Sequence, residues 1–173
     1  NIKERLSMGI NLPQLIDAVI EPTLYSIGLL SDSAIILLAG TAGIESRYGY
    51  FLKQIKGPAL GIYQMEPLTH ADIWNNYLAY NKVLGERIVK GCDLPNDVIS
   101  DFRLVSNLRY ATAMTRIHYL RVREKLPHMD DIEGLSNYHK KYYNTYLGKT
   151  KVEESMKIFK ECIETFDKMR SKP

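Results

Sequence analysis

Apolar residues recur at helical spacing along this chain, and no stretch alternates apolar with polar side chains between turn signals, so the fold class is all-α. The longest stripe is Leu104, Leu108, Ala111, Met114 and Ile117. It lies in a region that Asn96 can cap and Pro127 must end near Leu126, and it reads as a long central core helix. A second apolar run, Ala34 to Ile44, follows Ser31 and Asp32 as candidate caps and closes on Glu45. The spacing of Ala34, Leu38, Thr41 and Ala42 puts Glu45 on the same face as the apolar residues before it.

The remaining segments fit the same architecture. Asn11 and Pro13 open a first helical region with Leu15, Ile16, Val19 and Ile20 inward, which Pro22 kinks or divides. Gly49, Gly57 and Pro58 make the backbone from Tyr48 to Leu60 irregular. Thr69 with Asp72 resembles a capping pair for a helix carrying Ile73, Trp74, Tyr77 and Leu78. A short helix is expected around Leu135 and Tyr138, then a tyrosine-rich loop ending at Gly148. Thr150 and Glu153 form a capping box for a last helix whose inner face reads Val152, Met156, Phe159, Ile163 and Phe166. With no repeat, low-complexity tract or linker, residues 1–173 read as one domain.

Composition narrows the function classes. A chain of 173 residues, 45% hydrophobic and 25% charged, has material for one ordinary core. A formal charge of +3 is too small to argue a nucleic-acid partner. The run from Ala34 to Ile44 falls well short of the roughly 20 apolar residues that cross a bilayer, so no membrane span is expected. Cys92 and Cys162 read as free thiols, and neither they nor His70, His118, His128 and His139 show metal-ligand spacing, so no metal and no cofactor are expected. The N-terminus lacks the segments of a secretory leader, which leaves export open for a chain that starts at Asn1. Trp74 reads as core, and Arg116, Arg121, Arg123 and Lys125 as a solvated helix face.

Chemistry concentrates around Glu45. A carboxyl group at the junction of an apolar helix and a glycine-punctuated loop is half-desolvated, which favours its protonated form. Such an acid can donate a proton to a glycosidic oxygen. The segment that follows, Gly57 to Thr69, places small residues at Gly57, Ala59 and Gly61, then Gln64 and Pro67. Its glycines let backbone approach a ligand closely.

Glu45-Ser46 together with Gly61-Ile62-Tyr63-Gln64-Met65-Glu66-Pro67-Leu68-Thr69 resembles the signature of lytic transglycosylases of the soluble type, which share a lysozyme-like fold with goose-type lysozymes. Asn107, Leu108, Ala111 and the Arg116–Leu120 run resemble that family's core helix. A further family motif, a Tyr-Asn pair whose hydroxyl lies near the catalytic glutamate, matches either Tyr138 or Tyr143-Asn144. The resemblance covers about residues 32 to 148, and the segments from Gln64 to Leu78 and from Tyr138 to Lys149 look like those of phage-encoded proteins carrying this domain.

The resemblance implies a peptidoglycan lytic transglycosylase, active from a phage virion or after release at the bacterial cell wall. Its partners would be glycan strands and other virion proteins. Glu45 would first protonate the oxygen between N-acetylmuramic acid and N-acetylglucosamine. As carboxylate it would then take the proton of the C6 hydroxyl that closes a 1,6-anhydro ring. Ser46 and Gln64 would bond the sugar, Gly61, Tyr63 and Met65 would line the wall, and Tyr138 or Tyr143 with Asn144 would complete the site. Two alternatives stay open. Glu66, where goose-type lysozymes have an aspartate, is a possible second carboxylate that would orient water and give hydrolysis, although its place before Pro67 also suits a helix start. A structural or wall-binding virion protein that keeps the fold without turnover is the other.

Overall fold

The computed structural model describes residues 9–95, 99–143 and 152–172. It is all-α: the described residues form helices joined by turns, with only isolated bridges of Leu60 to Lys53 and to Met65 in place of strands. One continuous apolar cluster runs from Leu12 to Phe166.

The first helical region is a single coil in three parts: α1 (Leu12–Leu15), a π turn (Ile16–Ile20) and α2 (Glu21–Ser26). Asn11 caps it, its side chain accepting from Gln14 N at 3.2 Å. Pro22 neither breaks it nor divides it. A proline lacks the N–H of a regular turn and its ring collides with the carbonyl four residues back. The wider turn immediately before Pro22, in which Glu21 N reaches Ile16 O, absorbs both defects.

Helix α3 (Asp32–Ser46) is the innermost element. Ser31 caps it by accepting from Ala34 N at 3.1 Å, and every residue from Ala34 to Gly43 is buried. Two glycines and a threonine are poor helix formers, costing about 1 kcal/mol or less each. Four fully buried aliphatics, Ile35, Ile36, Leu37 and Leu38, each return roughly 2 kcal/mol, so packing decides the conformation. Gly40 has a further reason to be glycine: a Cβ there would sit 2.1 Å from Phe159 Cε1 on the last helix.

The segment after Pro67 departs from the expected boundaries. Helix α4 (Pro67–Asn76) begins at Pro67 with Glu66 as its N-cap residue, so Thr69 and Asp72 lie inside it instead of capping it. Proline suits a first helical position, where its missing N–H is not needed. A 3-10 turn (Leu78–Tyr80) and α5 (Lys82–Gly91), capped by Asn81, follow.

The expected long helix up to Leu126 is interrupted. It is replaced by a single turn, α6 (Arg103–Ser106), and α7 (Leu108–Leu120), while its supposed cap Asn96 lies outside the described residues. Asn107 makes the break: its backbone is extended, its Oδ1 accepts from Tyr110 N at 2.9 Å, and its Nδ2 donates to Cys92 O at 2.9 Å. One asparagine thus caps α7 and ties it to the end of α5. Of the basic residues of this region, Arg123 and Lys125 are exposed as expected but lie beyond the end of α7, and the other two are not solvated. Arg116 is 8% exposed, with its Nε lacking a partner among the described residues, and Arg121 is half-buried.

Helix α8 (Ile132–Tyr142) starts at Asp131, whose side chain accepts from Gly134 N at 2.8 Å. Helix α9 (Val152–Arg170) packs on both α3 and α8. Its innermost residues are Ser155, Phe159, Cys162 and Phe166, with Val152, Met156 and Ile163 flanking them. Thr150 and Gly148 lie outside the described residues. No helix among the described residues is long and apolar enough to cross a membrane.

The Gly40–Phe159 contact gives a direct test of this packing. Gly40→Ala should lower the unfolding free energy by about 1–3 kcal/mol through overpacking, despite the better helix propensity of alanine. Gly40→Ala should cost less in a Phe159→Leu background than in wild type, because the clashing ring is gone. Denaturant melts showing Gly40→Ala at wild-type stability would refute the contact.

Candidate active site

Helix α3 stops abruptly one residue after Glu45. Arg47 and Tyr48 both adopt left-handed backbone, with φ of 52° and 59°. This lets Arg47 N and Tyr48 N bond the carbonyls of Gly43 and Ala42 at 3.1 and 3.0 Å, closing the last turn. The chain reverses and Glu45 is left at the rim of the core, its side chain 16% exposed.

Ser46, fully buried, fastens this helix end to the loop beyond it. Its hydroxyl donates to Ile62 O at 2.5 Å and accepts from Gly49 N at 2.7 Å. The expectation that Ser46 bonds a sugar is therefore corrected, since both its donor and an acceptor site are spent inside the protein. The loop it holds is equally constrained. Gly61 has φ of 79°, and a Cβ there would lie 2.0 Å from Leu104 O, so only glycine fits against the α6 backbone. Gln64 is also left-handed, φ 52°, and its Nε2 donates to Gly61 O at 2.8 Å.

Tyr63 and Met65, expected on a substrate wall, are instead core residues at 1% and 3% exposure. Tyr63 donates its hydroxyl proton to Thr112 Oγ1 at 2.8 Å, because the Thr112 hydroxyl is itself committed to Leu108 O. Glu66 stays half-buried at the start of α4, and its carboxylate makes no capping bond.

The decisive neighbour of Glu45 comes from α8. His139 Nε2 lies 2.9 Å from Glu45 Oε1, with the His139 side chain only 1% exposed. Tyr143 stacks on that imidazole, centroids 5.8 Å apart and planes at 23°, and on Tyr119 at 5.3 Å. Its hydroxyl donates to Tyr63 O at 2.7 Å, joining the end of α8 to the Gly61–Met65 turn. Burial, and then the negative charge of Glu45, hold the Tyr143 hydroxyl well above the usual tyrosine range, so it stays a neutral donor. Burial does the same for Tyr119, whose hydroxyl donates to Thr41 Oγ1 at 2.8 Å.

Of the two candidate tyrosines, Tyr143 is thus the one gathered with Glu45 and its histidine. Tyr138 is buried, donates to Glu124 O at 3.1 Å and faces Arg116. Asn144 lies outside the described residues. His139 holds Glu45 Oε1, and Glu45 Oε2 has no hydrogen-bond partner among the described residues.

Comparison of the chain with protein-family models, curated proteins and solved structures finds no match. Its chemistry rests on the site itself. No group of three or more His, Cys, Asp or Glu among the described residues could hold a metal ion. Burial pushes both thiols up to about 12, which leaves Cys92 and Cys162 as unreactive core groups.

The sequence reading missed His139. A signal was present: Leu135, His139 and Tyr143 recur at four-residue spacing, the mark of one buried helix face. It also missed the hub at Tyr110, which donates to His70 Nε2 at 2.5 Å while accepting from Trp74 Nε1 at 2.8 Å. Burial lowers the pKa of His70 and keeps it the neutral acceptor that this bond needs.

A second polar relay braces the site from behind. His118 Nδ1 accepts from Arg121 at 3.0 Å, and its Nε2–H donates to Tyr142 O at 3.0 Å. Arg121 in turn pairs with Asp72 on α4 at 2.5 Å. Burial and then the Arg121 charge lower the pKa of His118 to about 4. The unfolded chain, near 6.5, takes a proton that the folded one refuses, so stability present above pH 6.5 is lost as pH falls toward 4. We expect wild type to lose on the order of 2–3 kcal/mol more than His118→Gln between pH 7.5 and 4.5 in denaturant titrations. Equal losses would show that His118 is not held neutral by the fold.

Proposed function

We propose that this chain is a peptidoglycan lytic transglycosylase with a lysozyme-like fold, cleaving the β-1,4 bond between N-acetylmuramic acid and N-acetylglucosamine. We propose further that it works from a phage virion, or once released, at the bacterial cell wall. One observation carries the reading: Glu45 stands at the end of a helix buried from Ala34 to Gly43, is mostly shielded from water, and has one carboxyl oxygen bonded to His139 while the other has no partner among the described residues. That is the geometry a general acid needs to deliver a proton in one direction.

The proposed step balances with a single carboxyl group. The Glu45 proton passes to the glycosidic oxygen as its bond to C1 breaks. The muramic acid C6 oxygen then attacks C1, and its proton returns to Glu45. The substrate supplies its own nucleophile, so the attack is effectively unimolecular and no water enters the products. Tyr143 is the tyrosine that borders the acid, and Gln64 contributes its carboxamide oxygen at the loop, its nitrogen being held by Gly61 O. Gly61, Ser46, Tyr63 and Met65 shape the loop from within rather than touching sugar.

A hydrolytic reading draws on Glu66. Its carboxylate makes no capping bond at the start of α4, which makes it the candidate to orient a water.

Digestion of purified sacculi followed by mass spectrometry separates the two. Products carrying 1,6-anhydromuramic acid are expected, and products that are all water-added at the reducing end would replace transglycosylation with hydrolysis. Glu45→Gln should slow release by at least roughly a hundredfold, the usual range for a lost general acid. Equal clearing by wild type and Glu45→Gln would make the domain a non-catalytic wall-binding component.

A further inference from the structure

We infer that His139 is a positioning residue for Glu45, fixing which carboxyl oxygen carries the transferable proton. The inference rests on Glu45 being the acid of the proposed reaction, and it adds a group that the family resemblance does not supply.

The geometry leaves His139 little else to do. Its side chain is 1% exposed, so neither substrate nor bulk water reaches the ring, and any effect on the reaction must pass through Glu45. Its Nε2 meets Oε1 at 2.9 Å, within ordinary hydrogen-bond distance. The ring cannot turn away freely, because Tyr143 stacks against it at 5.8 Å, and Tyr143 is locked by Tyr119 on one face and by its bond to Tyr63 O.

A carboxyl group at the end of a flexible glutamate side chain offers two equivalent oxygens and a freely turning plane. A donor fixed on one oxygen removes that freedom. With Nε2–H donating to Oε1, the proton of the acid form must reside on Oε2, the oxygen with no partner among the described residues. When Glu45 gives up that proton, the same Nε2–H steadies the carboxylate until the second proton arrives. His139 thereby serves both halves of the cycle without exchanging a proton with substrate, and the atom balance is unchanged.

The consequences differ from those of a structural core residue. Loss of the Nε2 donor should let the carboxyl plane rotate, which lowers kcat while leaving substrate binding almost intact. A misplacement of about 1 Å at a reacting group costs on the order of a hundredfold. Glutamine reaches about as far as the imidazole Nε2 and offers an amide donor, whereas leucine fills similar space without one.

The test uses the full chain on soluble, uncrosslinked glycan strands, with kcat and KM measured separately and folding checked by thermal melts. His139→Leu is expected to lose roughly a hundredfold in kcat with KM within about twofold, and His139→Gln to recover most of the loss. In wild type, the imidazole Nε2 proton should be a slowly exchanging downfield NMR resonance that moves in Glu45→Gln. Unchanged kcat in His139→Leu overturns the inference alone, provided Glu45→Gln remains inactive. If leucine prevents folding, a His139→Gln enzyme with near-normal kcat together with that resonance supports the inference, and a rapidly exchanging Nε2 proton overturns it. Absence of turnover in folded wild type overturns the proposed function, and the positioning role goes with it.

Discussion

Burying a helix on all its sides sets the terms for the rest of this fold. From Ala34 to Gly43, α3 has no solvent face, so every neighbouring element exists to cover some part of it. Helix α9 presses Phe159 onto Gly40, and α7 offers the Tyr119 hydroxyl to Thr41, the one polar side chain in that stretch. Such a helix must surface somewhere, and its polar backbone ends must be satisfied when it does. Ser31 meets that demand at one end. At the other, the left-handed pair Arg47–Tyr48 and the buried Ser46 hydroxyl meet it together. Glu45 stands at that second exit, which is why a carboxyl group comes to lie at the edge of an otherwise dry core.

Around the exit, aromatic rings do the work that a ligand-binding loop would otherwise have to do alone. Tyr143 contacts His139, His118 and Tyr119 and holds Tyr63 O, so the end of α8, the last turn of α7 and the Gly61–Met65 turn share one side chain. Their hydroxyls stay protonated because burial opposes ionisation, and the polar tips are matched one by one to acceptors. The site therefore sets neutral tyrosine hydroxyls around one carboxyl group and its histidine.

Several of these features were legible in the sequence, for stated reasons. Ser31 before an apolar run is a local capping signal, and Glu45 at the run's end follows from counting turns. The fold class followed from periodicity alone. What could not be read depended on groups far apart in sequence. Asn107 breaks the supposed long helix because Cys92 O is there to receive its amide, and Arg116 is buried with Tyr138 and Tyr77 near it, both far away in sequence. Ser46, Tyr63 and Met65 sit in the right segment but turn inward, since a loop that makes such close backbone contact with Leu104 has its small and apolar side chains packed beneath it. His139 shows no metal-ligand spacing, and the carboxyl group it meets lies 94 residues away in sequence.

The reversal at Arg47 and Tyr48 has a bearing on how this chain tolerates change. Two successive left-handed residues fix the direction of exit, and the register of α3 fixes where its final carboxyl group aims. One residue added anywhere within α3 would turn that group about 100° around the axis and push it about 1.5 Å further along. Glu45 would swing off the histidine it now meets, while the left-handed exit moved with the helix end. Length variation in relatives of this chain should thus fall in the stretch from Tyr50 to Pro58, where the backbone is largely exposed, and spare the fifteen residues of α3.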